Sequence, residues 1–261
     1  MATISSTAPR TATPDSTPTR EPTWTTLPTL TRSEALDLVT RLREDNGGCR
    51  LPCWWGISPG DTSWAEAEQF LETFADSMET IDVTPGPTNH GQIALAHYVT
   101  FGIGGQQGGV TITTTDGTIA QILTGPITTS RTFQLSSLLR DYGEPSIVLL
   151  STFSHPGPFG LPFGLVVFYG QSRFMAFYEV EGHVRGESVE GCFGSAGPYL
   201  WTWSGTESWD LARIQGETLG FDPTHGLRYL EDATEFDVPT FSAEFISGSA
   251  CLRTPASMWA Q

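Results

Sequence analysis

Twice along the chain the same order of signals recurs: an amphipathic helix, a Gly or Pro break, a β-rich run, and a turn into further β-rich sequence. The first copy spans about residues 62–124. There Ser63 and Glu66 have capping-box spacing, and Trp64, Ala67, Leu71, Phe74 and Met78 fall on one helical face. "QIALAHYVTFGI" and "GGVTITTTDGTIAQIL" follow, and Asp116-Gly117 between β-rich runs predicts a hairpin. In the second copy, about 132–184, Thr132 opens a helix with Phe133, Leu135, Leu138, Leu139 and Tyr142 as its apolar residues. Gly143 ends that helix and Pro145 precedes "SIVLLSTF"; "FGLVVFYGQSRFMAFYEVEG" then reads as two strands turning at Gly170 to Ser172. One copy alone cannot bury both faces of its elements. Two side by side predict an α+β fold, a larger antiparallel sheet with helices on one face in a two-layer sandwich.

The flanks differ in kind. Ordered sequence is expected over 31–204, beginning with a helix in which Thr31 and Glu34 have capping-box spacing. Ala35, Leu38, Val39 and Leu42 form its apolar stripe, and Asn46-Gly47 stops it. Residues 1–30 are almost entirely Ser, Thr, Pro and Ala with Trp24 as the one aromatic, a composition that buries too little apolar surface to offset ordering entropy and predicts a disordered spacer. "YLWTWSG" is compatible with a further strand. Residues 205–261 read as a helical and loop-rich extension, with Asp237 capping "VPTFSAEFI".

Charge narrows the chemistry. The basic residues are 13 arginines with no lysine, against 29 carboxylates, for a net charge of −16. Without lysine there is no P-loop, no Schiff base and no Ser-Lys dyad. Scattered arginines in an acidic chain also argue against nucleic acid, whose phosphates require clustered Lys and Arg. No run reaches the roughly 18 apolar residues that cross a bilayer, and Met1 is not followed by the charged-then-apolar order of a signal peptide. The Ser/Thr/Pro tract nevertheless has the composition of spacers that tether domains outside the cell. An extracytoplasmic location, secreted or at the cell surface, is therefore expected, with a signal peptide or lipobox encoded upstream of Met1.

Few residues carry a chemical motif. Gly56-Ile57-Ser58-Pro59-Gly60 matches G-x-S-x-G, but the residue after the serine must donate its N–H to an oxyanion, and Pro59 has none. The stretch is read as a turn. The four cysteines, Cys49, Cys53, Cys192 and Cys251, admit free core thiols, a tetrahedral zinc site or disulfides. Cys49 and Cys53 have one residue too many for a C-x-x-C redox pair and the other two stand alone, so staples are the simplest reading, Cys49–Cys53 with Cys192–Cys251 preferred. The five histidines are dispersed without metal spacing, and no metal or cofactor is expected. Glu66, Glu68 and Glu72 form a solvated helix face. Two groups remain as candidate binding residues. Tyr199, Trp201 and Trp203 share one strand face, and Phe159, Leu161 and Phe163 lie in the Gly/Pro-rich loop "SHPGPFGLPFG".

"GISPGDTSWAEAEQFL" resembles the opening of small α/β modules such as the SmpA/OmlA-type outer-membrane assembly lipoproteins, and "LSSLLRDYGEPSIV" resembles the helix-to-strand junction those modules share with β-lactamase-inhibitor-protein-like repeats. The fuller string, Cys-x-x-x-Cys-Trp-Trp-Gly-Ile-x-Pro-Gly-x-Thr with a late Cys-x-x-Thr-Pro, is similar to secreted or lipoprotein-like proteins of filamentous bacteria. The resemblance implies a noncatalytic, extracytoplasmic binding scaffold, although the lipobox cysteine of the lipoproteins is absent from this chain. A hydrolase-like enzyme and a carbohydrate-binding surface protein are the alternatives.

Overall fold

A computed structural model describes residues 30–83, 94–103, 106–126, 131–152, 161–205, 209–219, 226–247 and 251–258. The helices are α1 (Arg32–Asp45), α2 (Trp64–Leu71), α3 (Leu135–Tyr142), α4 (Leu211–Leu219), α5 (Leu230–Ala233) and α6 (Val238–Ile246). The strands are β1 (Ser77–Asp82), β2 (Ala94–Ile103), β3 (Gln106–Thr115), β4 (Thr118–Thr124), β5 (Ile147–Thr152), β6 (Leu161–Tyr169), β7 (Phe174–Arg185), β8 (Ser188–Cys192), β9 (Tyr199–Trp203), β10 (Gly226–Tyr229) and β11 (Cys251–Pro255). The fold is α+β, and all the strands join one antiparallel sheet. Its order is β1-β2-β3-β4-β9-β7-β6-β5-β10, with β8 bridging the far end of β7 to β11.

Local sequence explains the helix starts and the tightest turn. Both α1 and α2 carry complete capping boxes, Thr31 with Glu34 and Ser63 with Glu66. Asp237 accepts from the Thr240 N–H at the start of α6. Asp116 and Gly117 both have positive φ, 51° and 80°, as a type I′ turn between β3 and β4 requires.

Two helices depart from the expected bounds. The apolar phase of α2 continues in sequence to Met78, but the helix ends at Leu71. The Thr73 hydroxyl donates to the Phe70 carbonyl at 2.7 Å, and the Asp76 N–H bonds the Thr100 carbonyl at 2.8 Å, which draws the chain into β1. The third helix starts at Leu135, not Thr132, because the Thr132 hydroxyl donates to the Glu44 carbonyl at the end of α1 instead of capping its own helix. The extension beyond residue 205 carries α4, α5 and α6 and also supplies β10 and β11 to the sheet.

The register divides the sheet into two faces. On one, Val99, Phe101, Val110, Ile112 and Ile122 pack under α1, α2 and the Trp54-Trp55 pair. The same face continues through Leu200, Ala176, Val167 and Val148 under α3 and α6. On the opposite face, Leu149, Val166, Phe168, Met175, Phe177, Trp201 and Trp203 pack with Ile214 of α4. The core therefore runs along one whole face and under one half of the other.

Candidate binding surface

The half of the second face that lies on β1–β4 carries exposed side chains, Glu79, Ile81 and Tyr98 among them. Residues paired across antiparallel strands point the same way, so the register places Glu79, Tyr98, Thr111, Leu123 and Trp201 in one row across β1, β2, β3, β4 and β9. Ile81, Ala96, Thr113, Gln121 and Trp203 make the next row. Each row runs from an exposed residue on β1 to a buried indole on β9, with the small side chain of Ala96 already buried on β2. Tyr98 and Ile81 are 41 % and 39 % exposed, whereas Trp201 and Trp203 are 3 % and 2 % exposed.

The cause of that gradient lies in the segment after β9. Trp209 stacks on Trp203 at 4.5 Å between ring centroids, and the Arg213 guanidinium lies 4.3 Å from the centre of the Trp209 ring. Arg213 also reaches Gln121 Oε1 at 3.4 Å. The entry to α4 is thus tied to the sheet at β4 and β9.

The aromatic residues singled out from sequence are divided by this geometry. Tyr199, Trp201 and Trp203 do share a face, but the two indoles are core residues, with Trp203 stacked between Phe168 and Trp209. Only Tyr199 remains half-buried; burial and the Glu179 charge both raise its pKa. Phe163 is fully buried, and a Cβ at Gly191 would sit 2.6 Å from its ring, so glycine on β8 makes room for it. Leu161 is half-buried against the same core. Phe159 lies outside the described residues. Alternation assigns side chains to faces without saying which face a later segment will cover, and for that reason the exposed pair Tyr98 and Ile81 passed unnoticed. Their one sequence signal is phase: they stand opposite in strand period to the buried His97 and Val99.

The cysteines pair as Cys49–Cys53 and Cys192–Cys251. The second joins residues directly opposite on β8 and β11. The first closes a short loop whose tip docks on α3. The Leu51 N–H donates to the Tyr142 hydroxyl at 2.8 Å, and the Arg50 guanidinium lies 5.0 Å from the centre of the Tyr142 ring. A cavity of about 300 Å³ between Asn46, Arg50, Phe133 and Tyr142 is the seam left by this docking.

Other candidate groups are satisfied structurally. The Ser58 N–H donates to the Thr62 hydroxyl within the turn that leads to α2. His97 is buried, with Nδ1 at 2.8 Å from the Thr80 hydroxyl, Nε2 at 3.2 Å from the Thr114 hydroxyl, and its ring stacked on Trp64 at 3.5 Å. Burial lowers its pKa. A second cavity, of about 840 Å³, lies beside β8 and β11, where Glu190 accepts from Arg253 at 2.6 Å and is held below the usual carboxylate range by that bond. Among the described residues no group of His, Cys, Asp and Glu is arranged to hold a metal ion, and no helix is long and apolar enough to cross a membrane.

Compared with protein-family models, curated proteins and solved structures, the chain matches none.

Proposed function

We propose that this chain is a noncatalytic, extracytoplasmic binding protein that docks a protein partner on the open half of its sheet. The observation that carries the reading is the side-by-side exposure of Tyr98 and Ile81 on adjacent strands, on a sheet whose other face is packed under helices. Exposed aromatic and aliphatic groups on a rigid sheet are a favourable platform for a partner's apolar side chains. The two disulfides support an oxidising compartment.

The run α2-β1-β2-β3-β4 and the run α3-β5-β6-β7-β8 have the same order of elements, which supports the reading of two tandem units in a two-layer arrangement and the likeness to small α/β lipoprotein-like modules. In the second unit β9 takes the place beside β7 that a fourth strand would fill, and β8 is displaced to the far end of β7. The carbohydrate-binding alternative loses its platform with the burial of Trp201 and Trp203.

A photo-crosslinking side chain placed at Tyr98 and, separately, at the exposed Val184 on β7 tests the proposal. With the chain produced in its native host, position 98 should give a discrete protein adduct that weakens with Ile81→Glu. Absence of an adduct at 98, or the same adducts at both positions, overturns it.

A further inference from the structure

Two tyrosines, the exposed Tyr98 on the open half of the sheet and the half-buried Tyr199 at its border on β9, each have a carboxylate for a neighbour. Glu79 and Tyr98 are directly paired across β1 and β2, and both are exposed. Tyr199 pairs with Phe177 of β7, and Glu179 lies two residues along on the same face, diagonal to the tyrosine and exposed. Burial and then the Glu179 charge raise the pKa of the Tyr199 hydroxyl.

Among the described residues no arginine forms an ion pair with Glu79 or Glu179. Strands β1–β4 contain no Arg or Lys. Arg213, at the border of the face, lies over Trp209 and reaches Gln121. Tyr98 on β2 and Tyr199 on β9 are three strand steps apart, and two residues offset along the strands, or ~16 Å at the usual spacings. The whole chain carries a net charge of −16.

We infer that the partner presents Arg or Lys side chains to this face, and that the Tyr98–Glu79 and Tyr199–Glu179 pairs receive them. The inference rests on the open face being the docking surface. The exposed Tyr98 ring offers a π face to a cation, and at both sites the carboxylate offers the compensating charge. A second copy of this acidic chain is disfavoured by its own charge, and a phosphate backbone finds no cations on these strands.

Selection of a phage-displayed random dodecapeptide library on the intact, oxidised protein tests the inference. Recovered peptides should be enriched in Arg or Lys. Binding of a synthetic representative should weaken with added salt, and should fall about two- to fivefold with Glu79→Gln and again with Glu179→Gln, the scale of an exposed ion pair. Replacing its arginines by citrulline should have a comparable effect, and Glu231→Gln, at an exposed carboxylate of α5, should have none. Unchanged far-UV circular dichroism and melting temperature establish that the variants are folded.

Peptides without basic enrichment whose binding is still lost with Tyr98→Ala overturn the cationic partner and leave the open face standing as the docking surface. Basic peptides that respond equally to Glu231→Gln overturn it as diffuse attraction. Peptides indifferent to both Tyr98→Ala and Tyr199→Ala, or no binders at all, overturn both readings.

Discussion

Asn46 decides the conformation of the loop that carries the first disulfide. It ends α1 in the left-handed region at φ 58°, and its buried amide then bonds three backbone groups at once. Nδ2 donates to the carbonyls of Cys49 at 2.8 Å and Cys53 at 2.9 Å, while Oδ1 accepts from the Trp55 N–H at 3.1 Å. Trp55 itself has φ 55°, so that last bond helps hold a bulky residue in a conformation it rarely adopts. Trp54 and Trp55 stack at 4.0 Å beneath α1 and α2 as a result. Asn46→Ala leaves buried polar groups unpaired and removes the short polar side chain that lets Asn adopt positive φ. A loss of ~2–4 kcal/mol follows from the usual cost of such groups. Urea denaturation followed by tryptophan fluorescence should show it; a loss below about 1 kcal/mol would mean that water satisfies the loop as well as Asn46 does.

Among the elements, β11 depends most on a covalent tie. Among the described residues it pairs only with β8, yet Leu252 is buried in the core shared with α3 and α6. The Cys192–Cys251 bridge closes a sequence separation of 59 residues, for which chain entropy gives ~4 kcal/mol, against ~2 kcal/mol for the separation of 4 between Cys49 and Cys53. The double variant Cys192→Ser/Cys251→Ser should therefore lose more stability than Cys49→Ser/Cys53→Ser by an amount of that order. Limited proteolysis should cut the former first between α6 and β11. Equal losses would show that the short bridge acts mainly through the native geometry of its loop and its contacts with α3. Tyr142 makes that outcome concrete, since its hydroxyl and ring receive Leu51 and Arg50.

At the scale of the molecule, the titrating groups set two separate windows of pH dependence. His97 is neutral in the fold because burial lowers its pKa, so below the ordinary imidazole value of about 6.5 the unfolded chain takes up a proton that the folded chain does not. Its effect on stability is absent above that value, grows as pH falls through it, and levels off below the lowered folded pKa. The capping carboxylates Glu34, Glu66 and Asp237 act at lower pH. Hydrogen bonds to Thr31, Ser63 and Thr240 depress their pKa values, so the stability they contribute is complete above the usual carboxylate range and is lost as pH falls through the folded values. Chemical denaturation across pH should show both declines, with the upper one reduced in His97→Gln. An upper decline of the same size in that variant would assign it to another group.

How much of this was legible beforehand follows from the range of the interactions involved. Capping boxes at Thr31 and Ser63, the left-handed stop at Asn46, the Asp116-Gly117 hairpin and the Asp237 cap are set within a few residues, and each occurs in the structure where the sequence places it. The α+β class is also readable, and disulfides are the simplest reading of the cysteine spacings, with the observed pairs the preferred one of three possible pairings. Tertiary structure alone decided that Met78 belongs to a strand, that Thr132 bonds α1 instead of capping α3, and that β9 enters between β4 and β7. It also decided which aromatics are available. A period of two places Tyr199, Trp201 and Trp203 on one face of their strand, but the sheet register puts Tyr98 and Ile81 on that same face, and the arrival of Trp209 and α4 over only part of it buries the first group's indoles and leaves the second group exposed. That choice depends on contacts between segments distant in sequence, which no local pattern encodes.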